Sequence, residues 1–275
     1  MAAEHTIDVS RGRVGGSHAQ RVLARFTYLS GVTLHLARRD LTSRHRGSLL
    51  GWLWALMPSL LQLLVSYFLF TKVIPLRVPN YPVFLLTGIL AWNWFARSIS
   101  LAASSLEHSR ELVLRPGFAT AVLPAKDVLV ALLDYLLALP VLLVALLATT
   151  GVHPAIALLP VLLTIQLLLV AGVAWVLAPL QIFFRDVQHI VTVLVTVGFW
   201  VTPVFYARNA VPSRFELVYR LNPMAHLIEW QRSILLEGKL PSLPSLLALL
   251  AIASLLACVG LAVFLSLRDR VPEHL

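Results

Sequence analysis

Six stretches of this chain are long and apolar enough to cross a lipid bilayer: Leu49–Ile74, Tyr81–Leu106, Ala125–Thr150, Ala155–Phe183, His189–Tyr206 and Leu243–Leu267. A helix rises 1.5 Å per residue and the hydrocarbon is about 30 Å thick, so about 20 such residues make a span. Inside hydrocarbon each backbone N–H and C=O needs a partner within the protein, which makes helix the form these runs take. The expected fold is an all-α integral membrane protein with six transmembrane helices. Composition agrees, with 59% hydrophobic and 13% charged residues, against about 45–50% and about 25% in soluble domains. Most soluble enzymes and DNA-binding domains are thereby excluded. Cys258, the single cysteine, permits neither an intrachain disulfide nor a cysteine-based metal cluster.

The formal charge of +9 reads as topology rather than as nucleic-acid binding, because Lys and Arg collect on the cytoplasmic flanks of spans. Residues 1–48 hold eight arginines, and Arg110, Arg115, Lys126, Arg185, Arg268 and Arg270 fall on the same side of a six-span fold. The other side holds Lys72, Arg77, Arg208, Arg214, Arg220, Arg232 and Lys239, mostly in one long loop. Both termini are therefore expected in the cytoplasm, with residues 1–25 as a tail. The first 48 residues lack the apolar core and small-residue cleavage site of a signal peptide. Arginine outnumbers lysine 19 to 3, which suggests a GC-rich bacterial genome.

Two segments outside the spans have helical patterns. Phe26–Arg46 sets Phe26, Leu29, Val32, Leu36 and Leu41 beside Arg38, Arg39, Arg44 and Arg46, the arrangement of a helix lying in the membrane interface. The stretch 207–242 is too long and amphipathic for a turn. Pro212-Ser213 and Asn222-Pro223 start two short helices there and Gly238 ends the second. A re-entrant pair covered by protein would bury their apolar residues, from Phe215 and Leu217 to Ile234 and Leu235.

Polar groups within spans are expensive and mark candidate sites. Asn93, Arg97, Ser100 and Ser104 share one helical face, and Asp127 and Asp134 share another. Arg97 and Asp134 sit at equal depth, about 15 Å from the same side, so an ion pair between them is expected. The first span carries a stripe of Trp52, Ser59, Gln62, Ser66 and Phe70. The fifth carries His189, Thr192, Thr196, Phe199 and Pro203, adjoined by Trp200 and Tyr206. Such stripes suit either helix–helix packing or a hydrated conduit in which sugar rings stack on aromatic faces. The chain has no GxxxxGK[ST] phosphate loop, no HExxH and no GxSxG, so no catalytic site, metal or cofactor is expected in it.

The run from Arg44 to Pro58, Arg-His-Arg-Gly-Ser-Leu-Leu-Gly-Trp-Leu-Trp-Ala-Leu-Met-Pro, resembles the signature of type-2 ABC exporter permeases, in the subfamily that exports polysaccharides, O antigen and teichoic acids. Phe184-Arg185-Asp186-Val187 resembles that family's turn between the fourth and fifth spans. Asn222-Pro223 through Arg232 and Gly238 resembles its external segment. The resemblance implies a homodimer in the bacterial inner membrane, each copy docked on a separate cytoplasmic ATPase subunit that holds ATP and Mg. Glu107, Arg110, Glu111 and Arg115, with Arg185 and Asp186, would form the coupling surface. Spans one and five would enclose the path. The cargo would be a glycan on a polyprenyl diphosphate, with Arg38, Arg39, Arg44 and Arg46 at the diphosphate or the lipid interface. A galactan, O antigen and teichoic acid stay open as cargo. The competing readings are a type-2 permease for drugs or small lipids and a non-ABC channel or membrane-bound transferase.

Overall fold

The structure is a computed structural model that describes residues 31–40, 53–73 and 78–275. The tail 1–25, most of the 26–46 segment including Arg44 and Arg46, and Trp52 lie outside the described residues. The described chain is helical and contains no strand. Its order is α1 (31–40), α2 (Leu53–Phe68, continued by a π turn Leu69–Val73), α3 (Tyr81–Ala103), α4 (Ser105–His108), α5 (Arg110–Val113), α6 (Val122–Thr149), α7 (Leu159–Phe183, preceded by a 3-10 turn Pro154–Leu158), α8 (Val187–Val201), α9 (Glu216–Leu221), α10 (Pro223–Arg232, continued by a π turn Ser233–Glu237), α11 (Leu243–Leu267) and α12 (Val271–His274).

Among the described residues, four segments are long and apolar enough to cross a membrane: Leu56–Val73, Val122–Thr149, Pro154–Phe183 and Leu243–Leu267. The 23 residues of α3 match them in length but not in apolarity. The reason is position. α3 packs against α2, α6, α7, α8 and α10 and is buried over most of its length, so its polar side chains meet protein rather than lipid. The fifth apolar stretch, expected over His189–Tyr206, is helical only to Val201. Pro203 follows, lacks an N–H and disfavours helix in the residue before it. Thr202 accordingly turns extended at ψ 142°.

The tightest crossing joins α7 and α11. A Cβ on Gly172 would lie 2.6 Å from the Leu256 carbonyl, and one on Gly260 would fall on the Gly172 carbonyl oxygen. Ala253 and Ala257 continue the small-residue face. Without a hydrophobic driving force in lipid, such faces hold helices by close backbone contact.

At the end of the bundle where α3, α7 and α11 finish, here the lower end, a second apolar cluster of Leu106, Val113, Leu123, Ala178, Ile182, Phe264 and Val271 seats α4 and α5. α1 also lies there. Its buried face is Thr33 and Ala37, with Leu36 and Asp40 half-buried, while Leu34 is exposed. Val32 and Leu36, on the apolar stripe read from periodicity, are half-buried beside that face. Small side chains let α1 approach the bundle closely enough for Asp40 to reach Lys126 at 2.6 Å.

At the upper end the two helices of 207–242 behave differently. Asn222 caps α10 by accepting from the Met224 and Ala225 N–H groups, and Gly238 ends the segment at φ 65°. α10 is embedded, with Met224, Ala225, Leu227, Ile228, Ile234 and Leu235 buried. The expected burial of α9 is not found. Phe215, Leu217, Val218 and Leu221 are exposed, because α9 packs mainly on α10 and the preceding turn, with Tyr219 reaching Tyr206, and leaves its other face outward.

Candidate functional site

Two helices present little-covered faces. Val191 is the one buried residue of α8, and Ile190, Val193, Leu194, Val197 and Trp200 are exposed. On α2, Leu61, Leu64, Val65 and Phe68 are exposed. The polar stripe of α2 does not share that face. Ser59 and Gln62 turn towards α3, where the Asn93 amide donates to Ser59 Oγ at 3.0 Å and to Gln62 Oε1 at 3.1 Å. Ser66 is half-buried, and Phe70 is buried against Phe205, stacked at 4.9 Å. Thr192 and Thr196 are exposed, and each hydroxyl donates to the carbonyl four residues earlier. That habit of threonine satisfies the O–H within the helix and leaves the oxygen able to accept.

The upper part of α8 carries an aromatic ladder. Phe199 meets Trp92, Trp200 and Phe205, and Phe205 meets Tyr206. The Tyr206 hydroxyl donates to the Val201 carbonyl at 2.8 Å and also bonds the Tyr219 hydroxyl. Trp200, Tyr206, Val211, Phe215, Val218 and Tyr219 border a groove of about 480 Å³.

Deeper in the bundle, Arg97 Nη2 lies 3.2 Å from Asp134 Oδ2. Asp134 is buried, whereas the Arg97 side chain is 38% exposed towards a recess lined by Ser59, Gln62, Asn93 and Ser100. Replacing Arg97 by Gln is expected to lower stability by about 2 kcal/mol, less than for a fully buried pair because of that exposure. Adding Asp134→Asn should recover at least half of the loss. Thermal unfolding of Arg97→Gln, Asp134→Asn and the double variant in detergent checks this, and equal loss in Arg97→Gln and the double variant would reject the coupling.

The lower end exposes Glu107, Arg110, Glu111 and Arg115, together with Arg185 and Asp186. Leu106 and Val113 anchor the same connection inward, and Gly117 turns it at φ 78°. Arg38 and Arg39 are exposed on α1. Lys126, counted from sequence as a topology charge, instead bridges Asp40 and Asp127 at 2.6 and 3.0 Å. It borders a recess of about 770 Å³ between α1 and the α4–α5 connection.

The ABC-2 type transporter family model matches residues 32–236, from α1 to the π turn after α10. The chain belongs to the ABC-2 type transporter family. It is 36% identical over 249 residues to an O-antigen export system permease protein of Myxococcus xanthus, covering 89% of this chain and 95% of that one. A Klebsiella pneumoniae protein of the same description is 30% identical over 90% and 96% of the two chains. A polysialic acid transport protein of Escherichia coli is 22% identical over 82% and 89%.

This ABC-2 membrane domain also holds buried polar groups that periodicity did not single out. Gln166 Nε2 donates to the Ala91 carbonyl, and Gln231 Nε2 donates to Gln166 Oε1 at 3.1 Å. The Tyr135 hydroxyl reaches Gln231. Together they tie α10 to α3, α6 and α7. Arg232, read as an external charge, is buried and donates to the carbonyls of Phe84, Pro203 and Val204. A lone amide in an apolar run was the available signal for Gln166. For Arg232 it was its place in the segment from Asn222 to Gly238 that carries the family resemblance.

Proposed function

We propose that two copies of this chain form the membrane conduit of an ATP-driven exporter of a lipid-linked polysaccharide in the bacterial inner membrane. Similarity along nearly the whole chain to permeases named for O-antigen export carries this reading. α3 and α8 bring the spans to six, and the excess of basic residues puts both termini and the lower end in the cytoplasm. Faces as bare as those of α2 and α8 suit a second copy and a passage between the two. Exposed Thr192 and Thr196 offer acceptors to sugar hydroxyls. Phe199, Trp200 and Tyr206 offer ring faces, whose weak and repeated stacking permits both binding and release.

The power comes from a separate ATPase that binds ATP and Mg. It docks on Glu107, Arg110, Glu111 and Arg115 with Arg185 and Asp186, and its closure shifts α4 and α5. The cargo is a glycan on a polyprenyl diphosphate, with Arg38 and Arg39 attracting the diphosphate at the membrane surface. Reconstitution with the ATPase tests the reading: lipid-linked glycans should stimulate ATP hydrolysis and cross the bilayer, and transport by this chain without an ATPase would overturn it. Within that assay, Phe199→Ala or Trp200→Ala removes about one stacking contact, of order 1 kcal/mol. Export should fall about fivefold with assembly intact. Normal export by both variants would remove the aromatic ladder from the path.

A further inference from the structure

We propose that Gln181 is a positioning residue that ties the exposed connection between α3 and α6 to the first turn of α8. Gln181 lies in the last turns of α7 and is 5% exposed. Its carboxamide joins α4 to the turn that leads from α7 into α8. Nε2 donates to Glu107 Oε1 at 3.4 Å and to the Arg185 carbonyl at 3.3 Å. Oε1 accepts from the Gln188 backbone N–H at 2.7 Å. The partners fix the orientation of the amide. A backbone N–H can only donate, and a carbonyl and a carboxylate can only accept, so a flipped amide would lose all three bonds.

The fork matters because side-chain contacts at the lower end of α8 are few: Val187 packs on the core while His189 and Ile190 are exposed. The α4–α5 connection is already seated on α7 by Leu106, Val113, Ala178 and Ile182, so it does not need Gln181 to stay there. α8, by contrast, buries only Val191. Its first turn is held by the Gln181 carbonyl and by Gln188 Nε2, which reaches the Ser100 carbonyl at 3.5 Å. Gln188 Oε1 is buried with no partner among the described residues. Movement of Glu107 therefore passes through one amide to the Gln188 N–H in the first turn of α8. Gln181 thus acts by positioning α8.

This inference rests on the export reading, and the test separates the two. Gln181→Glu keeps the acceptor for the Gln188 N–H but sets a carboxylate against Glu107 and the Arg185 carbonyl. In proteoliposomes of the full complex with its ATPase, glycan exported per ATP hydrolysed should drop about tenfold while hydrolysis continues. Gln181→Glu combined with Glu107→Gln restores a donor opposite an acceptor and should recover most of that ratio. An unchanged ratio in the single variant would overturn the tie. Hydrogen exchange supplies a readout independent of export. Adding the ATPase should change exchange of the Gln188 amide in the native chain and in the double variant, but not in Gln181→Glu. If that variant does not accumulate, Gln181→Met fills the site without the bonds and should show the same loss of response. A complex that hydrolyses ATP but moves no glycan defeats the export reading, and the exchange response of Gln188 still decides the role of Gln181.

Discussion

Replacing Arg232 by leucine is expected to destabilise the protein by about 4 kcal/mol, and to leave little of it folded in the membrane. Arg232 Nε donates to the Phe84 carbonyl at 3.1 Å, and the two arms of its fork donate to the carbonyls of Pro203 and Val204. Those two carbonyls belong to the chain leaving α8 and have no helical N–H to return to. Leucine would fill part of the volume and leave them unpaired in an apolar surrounding. The guanidinium also lies over the Phe84 ring, 3.5 Å from its centre. Lysine carries the charge but not the planar fork, so Arg232→Lys should recover less than half of the loss. Gly88 makes the room: a Cβ there would meet the guanidinium and lie 2.8 Å from the Val204 carbonyl. Gly88→Ala should reproduce the defect from the other side. Because the two share partners, the double variant should lose less than the sum of the singles. Thermal unfolding in detergent measures all of these. A melting temperature for Arg232→Leu within a degree or two of the native value would show that the carbonyls find other donors.

The second large effect belongs to the α7–α11 crossing. Gly260→Leu should separate the two helices at their closest point, with a penalty of about 3 kcal/mol or more from overpacking. No rotamer avoids the collision, since the Cβ itself falls on the Gly172 carbonyl oxygen. Even alanine requires the backbones to part. Leu255→Ala, on the exposed face of the same helix, is the control and should change little. Protease resistance of the detergent-solubilised protein distinguishes the two, and equal resistance of Gly260→Leu and the native chain would mean that α11 is not held by this contact.

The sequence made some of this architecture legible and hid the rest for identifiable reasons. Apolar runs located the long helices because hydrocarbon thickness sets their length. The Asn222 cap and the Gly238 stop were readable because both act through bonds to near neighbours in the chain. Periodicity placed Ser59 and Gln62 on one face of α2 but could not say what the face meets, and the answer is Asn93. Arg232 looked like one more loop charge because its acceptors lie 28, 29 and 148 residues away. By pattern alone α9 and α10 form a pair. Both are amphipathic, and only the packing shows that α10 inserts while α9 does not.

The composition of α3 bears on how the chain is made. A segment carrying Asn93, Arg97, Ser98 and Ser100 among five aromatic side chains partitions weakly into lipid by itself, since an arginine near the centre of an isolated helix carries a penalty of about 2.5–3.5 kcal/mol at the translocon. Its polar atoms find partners on α2 and α6, at Ser59, Gln62 and Asp134. α2 leaves the ribosome before it and α6 after it. Stable insertion of α3 thus waits for α6, and biosynthesis arrested between the two would leave a half-made protein whose middle segment is free to slip back out of the bilayer.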